Sequence, residues 1–413
     1  MRPRLNLLRV AALVLVLSAA LRVPVAPAAT IPRESGDPFA IAISEQLTQD
    51  NNLYRLPGDV NMADLVPGSN ASRDDVLSRT SAIADGAWDF GKQAVVLNVA
   101  LDSNRYADND DLNNTSGTGR ADWNWRMGSD WSGQIGGSYG RSLSGFVNSR
   151  FFGKDLLETN DYHAGARYEV TPHWSLSAKM RHGEGSHDTD ARQVDNFTSQ
   201  TNTFAVGYLT RRADELGLEY RNTHTSFPNE VPGGGLFSDR DYVDRAANFR
   251  INYAFTVKTS FEGSVGYLWR HYPQSVFGDF AGAVWKGTLH WEPRSKTRVE
   301  LTQWQDLTAY LDAESNHFEA RGTRLTLAWL ASSKLTLSMD VSRENHDYTG
   351  FDPASFDQPS RRDKLWSQQA TLSYAPAQML AFDFTYRFEK RDTNRPFFQY
   401  DDRSLSIGVS FIF

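Results

Sequence analysis

The chain has 413 residues, a net charge of −7 and no cysteine, with 40% hydrophobic and 12% aromatic residues. Without cysteine there are no disulfides, thiolate metal sites or cysteine nucleophiles, and net negative charge without a basic block argues against nucleic acid. Beyond the N-terminus no stretch approaches the roughly 20 consecutive apolar residues of a membrane helix, so any crossing of a bilayer falls to strands.

At the N-terminus Arg2, Arg4 and Arg9 precede an apolar run from Val10 to Ala20, and Ala26-Pro27-Ala28 offers a small-residue cleavage site. This pattern predicts a secretory signal peptide over 1–28 and one mature domain over 29–413. An exported chain without disulfides needs another source of stability, and a closed strand ladder supplies one.

From there the sequence alternates with a period of two. In "RADWNWRMGSDW" the residues Ala121, Trp123, Trp125 and Met127 form one face and Arg120, Asp122, Asn124 and Arg126 the other, before Gly128-Ser129-Asp130 turns the chain. A helix would mix these two sets, whereas a strand separates them. The unit recurs, predicting strands near 38–49, 76–90, 93–106, 118–128, 131–143, 160–171, 174–183, 196–211 and 215–225. The second half continues with 243–256, 259–271, 280–292, 297–307, 318–331, 334–344, 365–375, 379–390 and 403–413.

Short turns alternate with long polar loops such as "GEGSHDTDARQVDN" and "RENHDYTGFDPASFDQPSRRDK". The expected fold is all-β, a transmembrane antiparallel up-and-down β-barrel of about 18 strands with short periplasmic turns and long extracellular loops. Sixteen strands result if 76–90, which alternates poorly, is not one of them. Trp125, Trp131, Tyr168, Trp174, Trp291, Trp329 and Tyr374 recur beside the short turns, as a periplasmic aromatic girdle requires.

The parity opposite the apolar positions should face the lumen. It carries Arg120, Arg126, Arg167, Lys179, Arg181, Arg221, Arg250, Arg270, Lys286, Arg298, Arg324 and Arg387. It also carries Asp102, Asp122, Asp161, Glu169, Glu219, Glu262, Glu292, Glu300, Asp340, Asp383 and Glu389. Twelve bases against eleven acids describe a hydrated interior laced with ion pairs rather than a charge-selective one. Loops at 223–241 and 344–364 are the candidates for a constriction inside the pore.

Catalytic signals are poor. Ser186, His187 and Asp188 are adjacent in what reads as a mobile loop, although triad members meet through folding. His163 and His290 face the lumen with no evident Ser or Asp partner. "DNDDLNN", 108–114, has the acid density of a calcium loop, but Asn113 and Gly119 stand where the glycine and the bidentate glutamate belong. It is expected to be an exposed loop able to meet the divalent ions of a lipopolysaccharide layer. No enzyme, cofactor or resident metal is expected.

"QLTQDNNLYRLPGD" (46–59), "DWSGQIGGSYGRSLSGF" (130–146), the "TPHWSLSA" turn and the ending "FTYRFEKRDTNRPFFQYDDRSLSIGVSFIF" resemble the exosortase-associated exopolysaccharide biosynthesis barrels of the EpsL type. The resemblance implies an outer-membrane barrel serving export or biosynthesis of extracellular polysaccharide, and it transfers no catalytic residue. A general diffusion porin and a barrel scaffold of a secretion complex are the alternatives. Implied partners are the polysaccharide, outer-membrane lipid and lipopolysaccharide, and periplasmic export components. Leu405, Ile407, Val409, Phe411 and Phe413 alternate in the last strand and resemble the C-terminal signal read by the barrel assembly machinery.

Overall fold

A computed structural model describes residues 38–60, 62–65, 71–149, 151–210, 212, 214–230, 240–273, 279–309, 317–349 and 360–413. The segment predicted as a signal peptide lies outside them. The strands of the first half are β1 (Phe39–Asp50), β2 (Asp75–Phe90), β3 (Gln93–Tyr106), β4 (Asn114–Met127), β5 (Trp131–Leu143), β6 (Leu156–Glu169), β7 (Trp174–His187), β8 (Phe197–Leu209) and β9 (Glu215–Ser226). The second half adds β10 (Tyr242–Thr256), β11 (Thr259–His271), β12 (Phe280–Arg294), β13 (Thr297–Ala309), β14 (His317–Leu330), β15 (Leu335–Thr349), β16 (Arg362–Ala377), β17 (Leu380–Thr393) and β18 (Tyr400–Ile412).

All eighteen form one antiparallel sheet in which each strand pairs with its sequence neighbour, and β18 pairs with β1 from Ala42↔Ile412 to Asp50↔Ser404. Closure removes both edges, so the ladder satisfies backbone donors and acceptors around the ring without water, interrupted at register shifts at Ala254/Thr256, Trp291/Arg294 and Tyr374/Ala377. The poorly alternating segment is a full strand, β2, paired along its length with β1 and β3. Gly91 and Gly128 take φ of 66° and 67° in the tight turns after β2 and β4, where a side chain would be strained.

Strands run further toward the long-loop end than their apolar pattern. β7 continues to His187, β15 to Thr349, and β4 begins at Asn114. Above a bilayer, alternation no longer has to be apolar, while the hydrogen-bond ladder continues for as long as both neighbours are present.

The exterior is an apolar belt. Leu218, Leu101 and Phe204 are 65%, 59% and 57% exposed, a display that only a lipid environment makes favourable. Aromatic pairs flank the short turns, with Trp131 and Tyr168 rings 4.7 Å apart and Trp174 and Tyr208 rings 5.0 Å apart. One acid interrupts the belt. Glu45 shares the outer parity of Ile43 and Leu47 and lies opposite Val409 and Thr80. Its carboxylate accepts hydrogen bonds from Ser78 and Thr80 of β2, both at 2.6 Å, so one neighbouring strand solvates it in place of water.

Candidate functional site

The inner face begins as a two-residue rule and ends as a tertiary structure. Strand register sets the predicted inner residues on the parity of Asp244 and Arg270, whose bidentate pair closes at 2.7 Å on each branch. On the first wall Arg120 pairs with Asp122, Arg181 pairs with Asp161, and Arg167 reaches Glu215 at 3.0 Å. On the second wall Arg250 meets Glu219 at 3.1 Å, Arg324 meets Asp340 at 2.6 Å, and Arg298 meets Glu292 at 3.2 Å. Arg387 pairs with Glu389, and Asp383 accepts from Ser373 at 2.5 Å. No hydrogen bond or ion pair with a charged side chain holds Arg126, Lys179, Arg221, Glu169 or Lys286 among the described residues.

The two lumen histidines have partners that spacing along the chain did not reveal. His163 lies 3.2 Å from Asp122 and 4.0 Å from Asp161, because β4, β5 and β6 bring them into one row through Gly136. His290 sits between Glu300 at 3.3 Å and Glu262 at 3.7 Å on the flanking strands. Ser186-His187-Asp188 is not a mobile loop. His187 ends β7, and its Nδ1 is 2.6 Å from Asp155, while Asp188 accepts from the Leu156 amide at 2.7 Å. These residues anchor a loop base, and among the described residues no serine is hydrogen-bonded to the His187 ring.

In the 108–114 stretch the three acids Asp108, Asp110 and Asp111 are exposed, as expected of a surface loop. Asn109, Leu112 and Asn114 are buried, and Asp75 accepts hydrogen bonds from the backbone amides of Ala107, Asp108 and Asn109. The buried residues pack the base of the turn while its acids stay on the surface. No group of three ligating side chains suited to a metal forms among the described residues.

The two loops named as constriction candidates are described only in part. Of the candidate loops, 231–239 and 350–359 lie outside the described residues, while Arg240 ties to Glu230 at 2.7 Å and Asp195 at 3.1 Å. Among the described residues the connections after β1 and after β5 pack inside the ring, against β17 and against each other. Arg391 of β17, fully buried, donates to the Val147 carbonyl at 2.6 Å and to Asn148 Oδ1 at 2.8 Å. Strands β5 and β17 are far apart around a closed ring, so this contact spans the interior. Phe146 then packs on Tyr54 with ring centroids 4.7 Å apart, in a cluster with Leu56, Met62 and Leu112.

Arg55 locks the first connection in place. It reaches Asp402 at 3.0 Å, Asp50 at 3.1 Å and Glu389 at 3.5 Å, and holds a φ of 55° that non-glycine residues rarely adopt. Burial works against its charge, but Asp50, Asp402 and Glu389 outweigh that and hold the guanidinium above its ordinary pKa. Burial, with Asp75 nearby, pushes the Tyr54 hydroxyl up to about 12, and that hydroxyl donates to Asn109 at 3.0 Å. Burial opposes ionisation of Asp155, and the His187 hydrogen bond overcomes it, leaving the carboxyl below its usual range.

Sequence patterning missed this mouth because neither connection has a period. A signal was present: Tyr54 and Leu56 are apolar residues inside an otherwise polar loop, and isolated loop apolars usually pack on something.

Fold and interior together define a membrane β-barrel with a charged inner wall and, at the long-loop end, two connections packed inside the ring. Residues 237–413 match the family model described as "Putative beta-barrel porin 2". Nothing among curated proteins matches the chain. Similar solved structures include the outer membrane protein OpdK of Pseudomonas aeruginosa, at 12% identity over 91% of this chain and 98% of that one, TM-score 0.46. A BenF-like porin from Pseudomonas fluorescens Pf-5 is 9% identical over 91% and 98%, TM-score 0.47. OccAB3 of Acinetobacter baumannii is 12% identical over 91% and 99%, TM-score 0.44.

Proposed function

We propose that the barrel is an outer-membrane passage serving export of an extracellular polysaccharide. The observation that carries this is the mouth: an ion-paired ring of 18 strands with the connections after β1 and β5 packed inside it and pinned through buried Arg55 and Arg391. Barrels of this size keep an aqueous lumen, and a polymer conduit needs one that does not leak at rest. The EpsL-type sequence features support the same reading. In it, periplasmic export components deliver the polymer, and the assembly machinery recognises β18 through Leu405, Ile407, Val409, Phe411 and Phe413.

A diffusion porin for small solutes is the second reading, favoured by the porin family model that matches the second half of the chain. Deleting the gene and measuring extracellular polymer separates the two. Export predicts loss of extracellular polymer, restored by the wild-type gene, and a purified barrel of low conductance that opens in Arg391→Ala. Normal extracellular polymer in the deletion strain, together with a large steady conductance of the unmodified barrel, establishes the porin instead.

A further inference from the structure

Ten of the eleven tryptophans lie on the lipid face, and Trp304 alone is on the inner parity, directly opposite Lys286 of β12 and Gly322 of β14. A tryptophan on the outer face has an interfacial role; one in an aqueous bore has none. Trp304 is half-buried because its indole lies flat over Gly322, where a Cβ would come within 2.0 Å of the ring. Gly322 therefore holds one face of the ring against the wall and turns the other to the lumen.

Lys286 stands on the adjacent strand, about 5 Å away across the ladder; Glu262 of β11 lies near enough to feel its charge, but its ammonium has no hydrogen bond or ion pair among the described residues. The same cross-strand row continues through Ser264 to Arg250 of β10, about 10 Å further on and already paired with Glu219. Glu344 borders the platform on the other side, opposite Gly322.

From this juxtaposition we infer that Trp304, Lys286 and Gly322 form a carbohydrate subsite for acidic sugars, the pyranose ring stacking on the indole and its carboxylate pairing with Lys286. The inference rests on the polysaccharide-passage reading and names its substrate class, a uronate-bearing polymer. The polarised C–H face of a pyranose complements the negative face of an indole, and an unpaired ammonium in a bore is the group a sugar carboxylate lacks. Neutral sugars would keep the stacking and lose the charge contact.

Equilibrium binding to the purified full-length barrel in detergent tests it, with hexagalacturonate and maltohexaose as probes. Hexagalacturonate should bind the wild type more tightly than maltohexaose. Trp304→Ala should weaken both by tenfold or more, and Trp304→Phe should recover part of the loss, which a folding defect would not allow. Lys286→Gln should weaken only hexagalacturonate. Absence of hexagalacturonate binding to the wild type, or unchanged binding in Trp304→Ala, overturns the subsite. The two ideas separate: polymer exported normally from the deletion strain overturns the passage and leaves Trp304-dependent binding standing, while export lost without such binding does the reverse.

Discussion

In the wall, every second residue of β3 from Val95 to Leu101 faces lipid, and no individual side chain determines the fold. At the mouth, a single arginine on the β1–β2 connection contacts three carboxylates, and a single arginine on β17 reaches across to the β5–β6 connection. The wall is held by backbone hydrogen bonds whose sum is large and whose members are interchangeable. The mouth is held by a few desolvated charges, each of which matters. One barrel is therefore robust where it meets lipid and brittle where it meets the outside, which suits a passage that has to open at one end without unfolding at the other.

The sharpest break in that contrast is Arg55→Ala. It leaves Asp402, whose side chain is fully buried, without its cation, and loss of about 3–5 kcal/mol is expected, read as a shifted urea midpoint in detergent. Arg55→Gly removes the same charge but relieves the left-handed backbone, and should be less damaging by about 1 kcal/mol. Equal stability of the two variants would mean that the φ of 55° carries no strain.

Glu45→Leu inverts the logic on the wall. Removing a carboxylate from the apolar belt should raise stability by up to about 2 kcal/mol, and a loss instead would show that Ser78 and Thr80 need their acceptor more than the belt needs continuity.

Alkaline titration probes the mouth more gently. The Tyr54 hydroxyl has a folded pKa raised from 10.0 to about 12. The neutral phenol therefore contributes stability in full below pH 10, and that contribution is lost as pH rises through about 12. The tyrosinate absorbance of wild type minus Tyr54→Phe should show one group titrating late; a difference curve centred near the ordinary value would remove Tyr54 from the buried cluster. Asp155 acts at the other end with opposite sign, since its depressed pKa supports the fold above the ordinary carboxylate range and is lost in acid below it.

The smallest effect is expected at the periplasmic rim. Arg298 and Glu292 are 73% and 53% exposed, so Arg298→Ala should change stability by less than about 1 kcal/mol, and less still in high salt. A loss comparable to Arg55→Ala would erase the distinction between the two ends of the barrel.

The alternation in "RADWNWRM" and its repeats determined the strands, their number to within one hairpin, the turn ends and the face each side chain takes, because a two-residue period and lipid on one side leave a strand few choices. β2 was the doubtful element for the same reason: its outer face mixes Ser78 and Thr80 with Ala82 and Ala84, and pairing with β1 and β3 fixed it where pattern could not. The out-of-phase Trp304 was equally legible, since it breaks the parity of Val299 and Leu301. Which charges meet was decided by register and closure together: the β4–β5–β6 register sets His163 beside Asp122, and closure of the ring carries Asn148 to Arg391 across 243 residues of sequence. Aperiodic loops encode such contacts through shape and burial rather than spacing, so the wall could be derived from the sequence while the mouth emerged only with the tertiary fold.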